Sequence, residues 1–92
     1  APTYIADPSG TVFVNSTGNV GLATAGSGDV LGGMIAGIFA QMKEEATQAA
    51  IIGVYLHGLA ADIAVCDLTT IAMTAGDIIR YLPAAYKALE LA

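Results

Sequence analysis

The chain has 92 residues, room for one small domain, with 55% hydrophobic residues, a mean hydropathy of +0.68 and a formal net charge of −5. Its three basic residues, Lys43, Arg80 and Lys87, lie apart from one another, which excludes a nucleic-acid partner, because neutralising a phosphate backbone takes a basic stripe. The single cysteine, Cys66, excludes an internal disulfide and is expected as a small apolar core residue in a reducing compartment.

A small domain buries a low fraction of its surface, so this much Ile, Leu, Val and Ala suggests packing against something outside the sequence. The expectation is an incomplete domain. No basic-then-apolar start resembles a signal peptide, so a cytoplasmic location is expected. The apolar stretch from Ala46 to Cys66 nearly reaches membrane-spanning length, but Gln48, His57 and Asp62 interrupt it. It reads as a buried helix, with no membrane partner.

In chain order, Thr3–Ala6 and Thr11–Asn15 read as short strands. Asp7, Pro8, Ser9 and Gly10 between them are a turn cluster, so the pair predicts a β-hairpin. The stretch from Asn15 to Gly33, NSTGNVGLATAGSGDVLGG, is the one around which the rest is organised, with glycine at 18, 21, 26, 28, 32 and 33. Thr17, Gly18 and Asn19 suit ordinary turn chemistry, their side chains bonding nearby backbone. Thr24 either contacts a phosphate oxygen or holds the turn. Gly26, Ser27 and Gly28 leave their backbone N–H groups free to turn towards a ligand as an anion nest. A helix starting at about Gly28 or Asp29 adds the positive end of its dipole, so the loop attracts phosphate.

Asp29 has two readings. Beside an anion site it either caps or charges the helix N-terminus, or it faces a substrate hydroxyl and takes its proton as that hydroxyl attacks phosphorus. Spacing alone does not choose between them.

The first helix, near Asp29–Met42, presents Val30, Leu31, Met34, Ile35, Ile38, Phe39 and Met42 as an apolar stripe. Its other face is small, with Gly33, Ala36, Gly37 and Ala40, and is expected to admit a close neighbouring backbone. The second helix is expected from Glu44 or Glu45 to about Cys66. Its small stripe of Ala46, Ala49, Ala50, Gly53, His57, Ala60, Ala61 and Ala64 should pack on the first. His57 is the sole histidine and reads as a hydrogen-bonded core residue. Asp62 is expected to bond a nearby loop. Thr74 and Asp77 have capping-box spacing for a short helix from Ala75, and Pro83 is expected in the first turn of a last helix, Pro83–Leu91.

TGN, then GLATAGSGD, then VLGG resembles the signature of the ADP-dependent NAD(P)H-hydrate dehydratases, a branch of the ribokinase-like superfamily. The short G-x-G-D core is common to the wider superfamily; the longer string is far more specific. The resemblance implies an α/β fold, this chain being the C-terminal fragment of a ribokinase-like three-layer domain, a β-hairpin followed by packed helices. It makes Asp29 the catalytic base and the substrate contact, and Gly26, Ser27 and Gly28 the anion hole. Ala1, Pro2 and Thr3 resemble the end of the family's nucleotide-binding segment, and with Asn19 and Gly28 they are expected against the nucleotide. The Lys-Gly pair that precedes that segment in the family is absent here, as are the central sheet and most of the substrate pocket. The N-terminal remainder is therefore expected as a separate polypeptide or as the lost part of a cut chain. The HGLAAD string, His57–Asp62, belongs in the family to the scaffold behind the site.

The implied activity is repair of nicotinamide nucleotides. ADP, or ATP in some relatives, phosphorylates the C6 hydroxyl of the hydrated ring of NADHX or NADPHX with release of AMP, and loss of phosphate restores NAD(P)H. Mg²⁺ and a Lys or Arg from the missing part are expected to complete the phosphate site, since this chain offers it only backbone dipoles. A homo-oligomer is expected; the chain itself supplies no metal ligands. Two alternatives stay open: a ribokinase-like kinase of a small alcohol, vitamin precursor or sugar, which stops at the phosphate ester, and a non-catalytic helical interaction subunit whose glycine loop binds nothing.

Overall fold

A computed structural model describes residues 3 to 42 and 46 to 91. Strands β1 (Tyr4–Ala6) and β2 (Val12–Val14) pair antiparallel with Tyr4 opposite Val14 and Ala6 opposite Val12. The Asp7 side chain makes the turn: its Oδ1 accepts from the Ser9 N–H (3.0 Å), the Ser9 hydroxyl (2.6 Å) and the Thr11 N–H (3.0 Å). The Ser9 hydroxyl first, then the backbone donors, hold the Asp7 carboxyl below the usual carboxylate range. Gly10 follows at a φ of +94°, which an L side chain resists.

A single 3-10 turn, Val20–Leu22, leads into three helices, α1 (Ser27–Met42), α2 (Ala46–Asp67) and α3 (Ala75–Leu91). The helix that α2 forms lies between the other two. Its Leu56 and the Ile78 of α3 are the largest fully buried side chains, and Ala49, Ala60, Ala61, Ala64 and Ala85 are sealed with them. Alanine at these positions keeps the axes close. Closer still, a Cβ on Gly53 would stand 2.6 Å from Ile35 Cγ1, so α2 meets α1 where the small stripe was expected to pack. By length and composition α2 is apolar enough to cross a bilayer, but half of that stretch is buried inside the fold.

The capping box is present. The Asp77 Oδ2 accepts from the Thr74 N–H at 2.9 Å and the Thr74 hydroxyl accepts from the Asp77 N–H at 3.3 Å. The backbone bond from Thr74, then that from its hydroxyl, lowers the Asp77 carboxyl from its ordinary value, and Arg80 adds to this.

Four expectations need correction. The first helix begins at Ser27, a residue or two earlier than Gly28 or Asp29. The two last helices are one: α3 runs unbroken from Ala75 to Leu91 with Pro83 inside it. Proline there removes the donor for the Ile79 carbonyl, and Ile79 and Pro83 both lie on the exposed side of the helix, where solvent can reach that carbonyl. Cys66 is exposed, with its thiol 3.5 Å from the Asp62 carbonyl; apolar residues run round every side of α2, so composition did not reveal which side is covered. The small face of α1 meets no neighbour among the described residues, since a Cβ on Gly33 or Gly37 would find nothing within 4 Å. The expected start of the second helix at Glu44 or Glu45 lies outside the described residues.

Candidate active site

The first half of the glycine loop is clamped to α2. Asn15 is buried, its side-chain amide donating to the Thr17 carbonyl at 3.0 Å, and the Thr17 hydroxyl donates to the Tyr55 carbonyl at 2.8 Å. The contact is tight because residue 58 has no side chain: a Cβ on Gly58 would lie 2.2 Å from the Thr17 hydroxyl oxygen and 2.9 Å from the Gly18 nitrogen. Asp62 then closes the loop. Its two oxygens accept from the Gly18 N–H and from the Asn19 side-chain amide, each at 2.9 Å, while the Asn19 Oδ1 caps the 3-10 turn through the Gly21 N–H at 2.8 Å. The expected loop contact of Asp62 is thus met twice, and the Asn19 side chain is committed to the same clasp.

The second half of the loop turns on Gly26, at a φ of +87°, directly before the first turn of α1. Ser27 donates its N–H to the Thr24 carbonyl at 3.2 Å, and Val30 donates to the Gly26 carbonyl at 3.1 Å. Among the described residues the N–H groups of Gly26, Gly28 and Asp29 meet no acceptor. These are donors that a helix start leaves over, and here Gly26, Gly28 and Asp29 are exposed, with open space where a Gly28 side chain would stand. Ser27 differs from its neighbours: it is buried, and its N–H is used within the turn.

Asp29 lies in the first turn of α1 and is exposed, and no hydrogen bond among the described residues engages its carboxylate. A cap is therefore not what occupies it. Its acid group and the free N–H groups share one end of one helix.

Behind this turn stands His57, 6% exposed, with Nε2 3.1 Å from the Ser27 carbonyl oxygen and 3.4 Å from its hydroxyl. A carbonyl only accepts, so Nε2 carries the proton. Burial pushes the imidazole below its ordinary value, and the bond to Ser27 opposes this in part. The expectation of a hydrogen-bonded core histidine holds.

A cavity of about 640 Å³ opens beside the clamp, and Thr3, Asn19, Leu31 and His57 are among its lining. Two of the expected nucleotide contacts, Thr3 and Asn19, are brought together there. Gly26, Ser27, Gly28 and Asp29 do not line it; the turn adjoins it through His57 and Leu31. Ala1 and Pro2 lie outside the described residues. The sequence reading passed over Gly58 and expected only nearby backbone bonds of Thr17, whose hydroxyl instead reaches α2 at Tyr55, though a glycine beside the only histidine of an apolar helix is a sign of a close approach.

Residues 1–84 match the model of a family described as NAD(P)H-hydrate dehydratase. The chain belongs to this family. The bifunctional NAD(P)H-hydrate repair enzyme Nnr of Moorella thermoacetica is 50% identical over 90 residues, 98% of this chain and 17% of that protein. The ADP-dependent (S)-NAD(P)H-hydrate dehydratase of Neisseria meningitidis is 52% identical over 61 residues, 66% of this chain and 20% of its own length. That of Bacillus subtilis is 36% identical over 88 residues, 96% of this chain and 32% of its own. The chain therefore spans about a sixth to a third of these relatives. No solved structure matches.

Proposed function

We propose that this chain carries the catalytic turn of an ADP-dependent NAD(P)H-hydrate dehydratase and acts as the C-terminal part of a ribokinase-like three-layer domain. The reading rests on one observation: free N–H groups and an unengaged carboxylate stand together at the start of α1, in a chain of the NAD(P)H-hydrate dehydratase family. Names of relatives supply the reaction, dehydration of the hydrated nicotinamide nucleotide at the expense of ADP.

In this reading Asp29 accepts the proton of the C6 hydroxyl as its oxygen attacks the terminal phosphorus of ADP, and AMP leaves. The Gly26 to Gly28 turn holds the charge that builds on the transferring phosphoryl group, with the helix dipole behind it. Phosphate then departs from C6 with the C–O electron pair, C5 gives up a proton as the C5–C6 double bond forms, and NADH or NADPH is restored. Thr3 and Asn19, with Ala1, Pro2 and Gly28, border the nucleotide. No group of three His, Cys, Asp or Glu gathers among the described residues, so they do not by themselves fit the Mg²⁺ that the reaction implies, and no step is derived through it. Metal, cationic side chains and most of the substrate pocket belong to the N-terminal remainder of the domain, whether on one polypeptide or two. We place the assembled enzyme in the cytoplasm as a homo-oligomer.

The test is turnover by the intact protein that carries this chain, given ADP and hydrated NADH and followed by the absorbance of the reduced nicotinamide. Asp29→Asn is expected to lower kcat by roughly 10²- to 10⁴-fold, the usual worth of a general base, with ADP affinity little changed. Wild-type rates in that variant would remove Asp29 from the chemistry. Formation of a stable phosphate ester without recovery of absorbance would make the enzyme a kinase.

A further inference from the structure

His57 takes no part in the proton transfer assigned to Asp29, yet it is nine-tenths buried and spends its one N–H on the Ser27 carbonyl. That carbonyl shares a planar peptide with the Gly28 N–H, and since no peptide bond among the described residues is cis the two point in opposite directions. Whatever grips the Ser27 oxygen from inside therefore sets where the Gly28 hydrogen points outside. Ser27 N–H, tied to Thr24, fixes the preceding peptide in the same turn. A donor on the oxygen also polarises the peptide and makes its N–H a better donor.

We propose that His57 is a positioning residue of the anion-binding turn, aiming and strengthening the Gly28 N–H through the Ser27–Gly28 peptide. The inference rests on the reading of that turn as a phosphoryl site. It explains why a polar ring is buried in a helix whose neighbours at 54, 56, 58, 60 and 61 are buried and carry no polar side chain: a leucine of similar bulk would pack there but leave the Ser27 oxygen with only the intrahelical bond that the start of α1 gives it.

Two substitutions separate the donor from the ring. Gln places an N–H close to the position of Nε2, whereas Asn reaches only as far as Nδ1. In the intact protein, His57→Asn is expected to lower kcat/KM for ADP by roughly 10- to 100-fold, less than outright loss of an oxyanion donor costs. Affinity for AMP, which lacks the transferred phosphoryl group, should be unchanged, and His57→Gln should restore most of the rate. The amide ¹⁵N shift of Gly28 should move in the Asn variant and stay near the natural value in the Gln variant. A folded Asn variant with natural kcat/KM, an equal loss of AMP and ADP binding, or a Gln variant as impaired as Asn would each overturn the proposal. If the natural protein shows no ADP-dependent turnover, the functional reading fails by itself. The Gly28 shift then decides on His57, and no movement in the Asn variant sinks it.

Discussion

Two glycines in this chain do opposite work, and space around the missing Cβ tells them apart. At Gly58 a side chain would strike the Thr17 hydroxyl and the Gly18 nitrogen, so Gly58→Ala must push the loop off α2. A cost of about 1–3 kcal/mol is expected, as for other overpacked sites, read as a lower denaturation midpoint. At Gly28 nothing stands in the way and φ is not in the left-handed region. Gly28→Ala should therefore be neutral or stabilise by up to about 1 kcal/mol through loss of unfolded-chain entropy, yet weaken ADP binding, because the methyl group occupies the ground a phosphate would take. Calorimetry of ADP binding beside a thermal melt checks both halves. An alanine variant that binds ADP as the natural protein does would argue that no ligand approaches this turn.

At the scale of elements, the capping box at Thr74 and Asp77 shows how far local chemistry reaches. Two residues at the right spacing satisfy the first donors of α3 reciprocally, and Thr74→Ala should cost about 1 kcal/mol, the ordinary worth of a cap, measured by urea denaturation. No loss would mean that α3 is held by packing alone. The same helix shows where local rules stop. Proline in mid-helix ordinarily argues for a break, yet burial of Ile78 and Ala85 on one face of α3 keeps it continuous past Pro83. Cap residues act on their own backbone and so are legible in sequence; continuity through a proline depends on what the helix packs against.

For the molecule as a whole, the buried imidazole sets an acid limit. The unfolded chain takes up a proton at His57 near an ordinary value of about 6.5, whereas burial lowers the folded value. Stability from the neutral ring is therefore complete above that ordinary value and is lost as pH falls through the folded one, because the unfolded state then binds more protons. Denaturation midpoints should begin to fall below about pH 6.5, and His57→Gln should flatten that part of the curve. Asp7 and Asp77, whose carboxyls are lowered, lose their contribution only further down, below about pH 4. An identical curve in the Gln variant would mean that the loss above that range has another source.

The hairpin, the glycine turn at Gly26 to Gly28, the helix that follows it and the cap at Thr74 were legible in the residues alone, because each depends on backbone freedom, spacing or hydrogen bonds between near neighbours. The sequence also marked His57 and Asp62 as polar residues an apolar helix must satisfy. Long-range packing settles which backbone groups they satisfy, which side of α2 leaves Cys66 in water, that α3 runs on through Pro83, and that the small face of α1 lacks a neighbour among the described residues. Those outcomes turn on contacts between residues 30 to 44 positions apart, and on which face of an all-round apolar helix is covered, neither of which a local pattern carries.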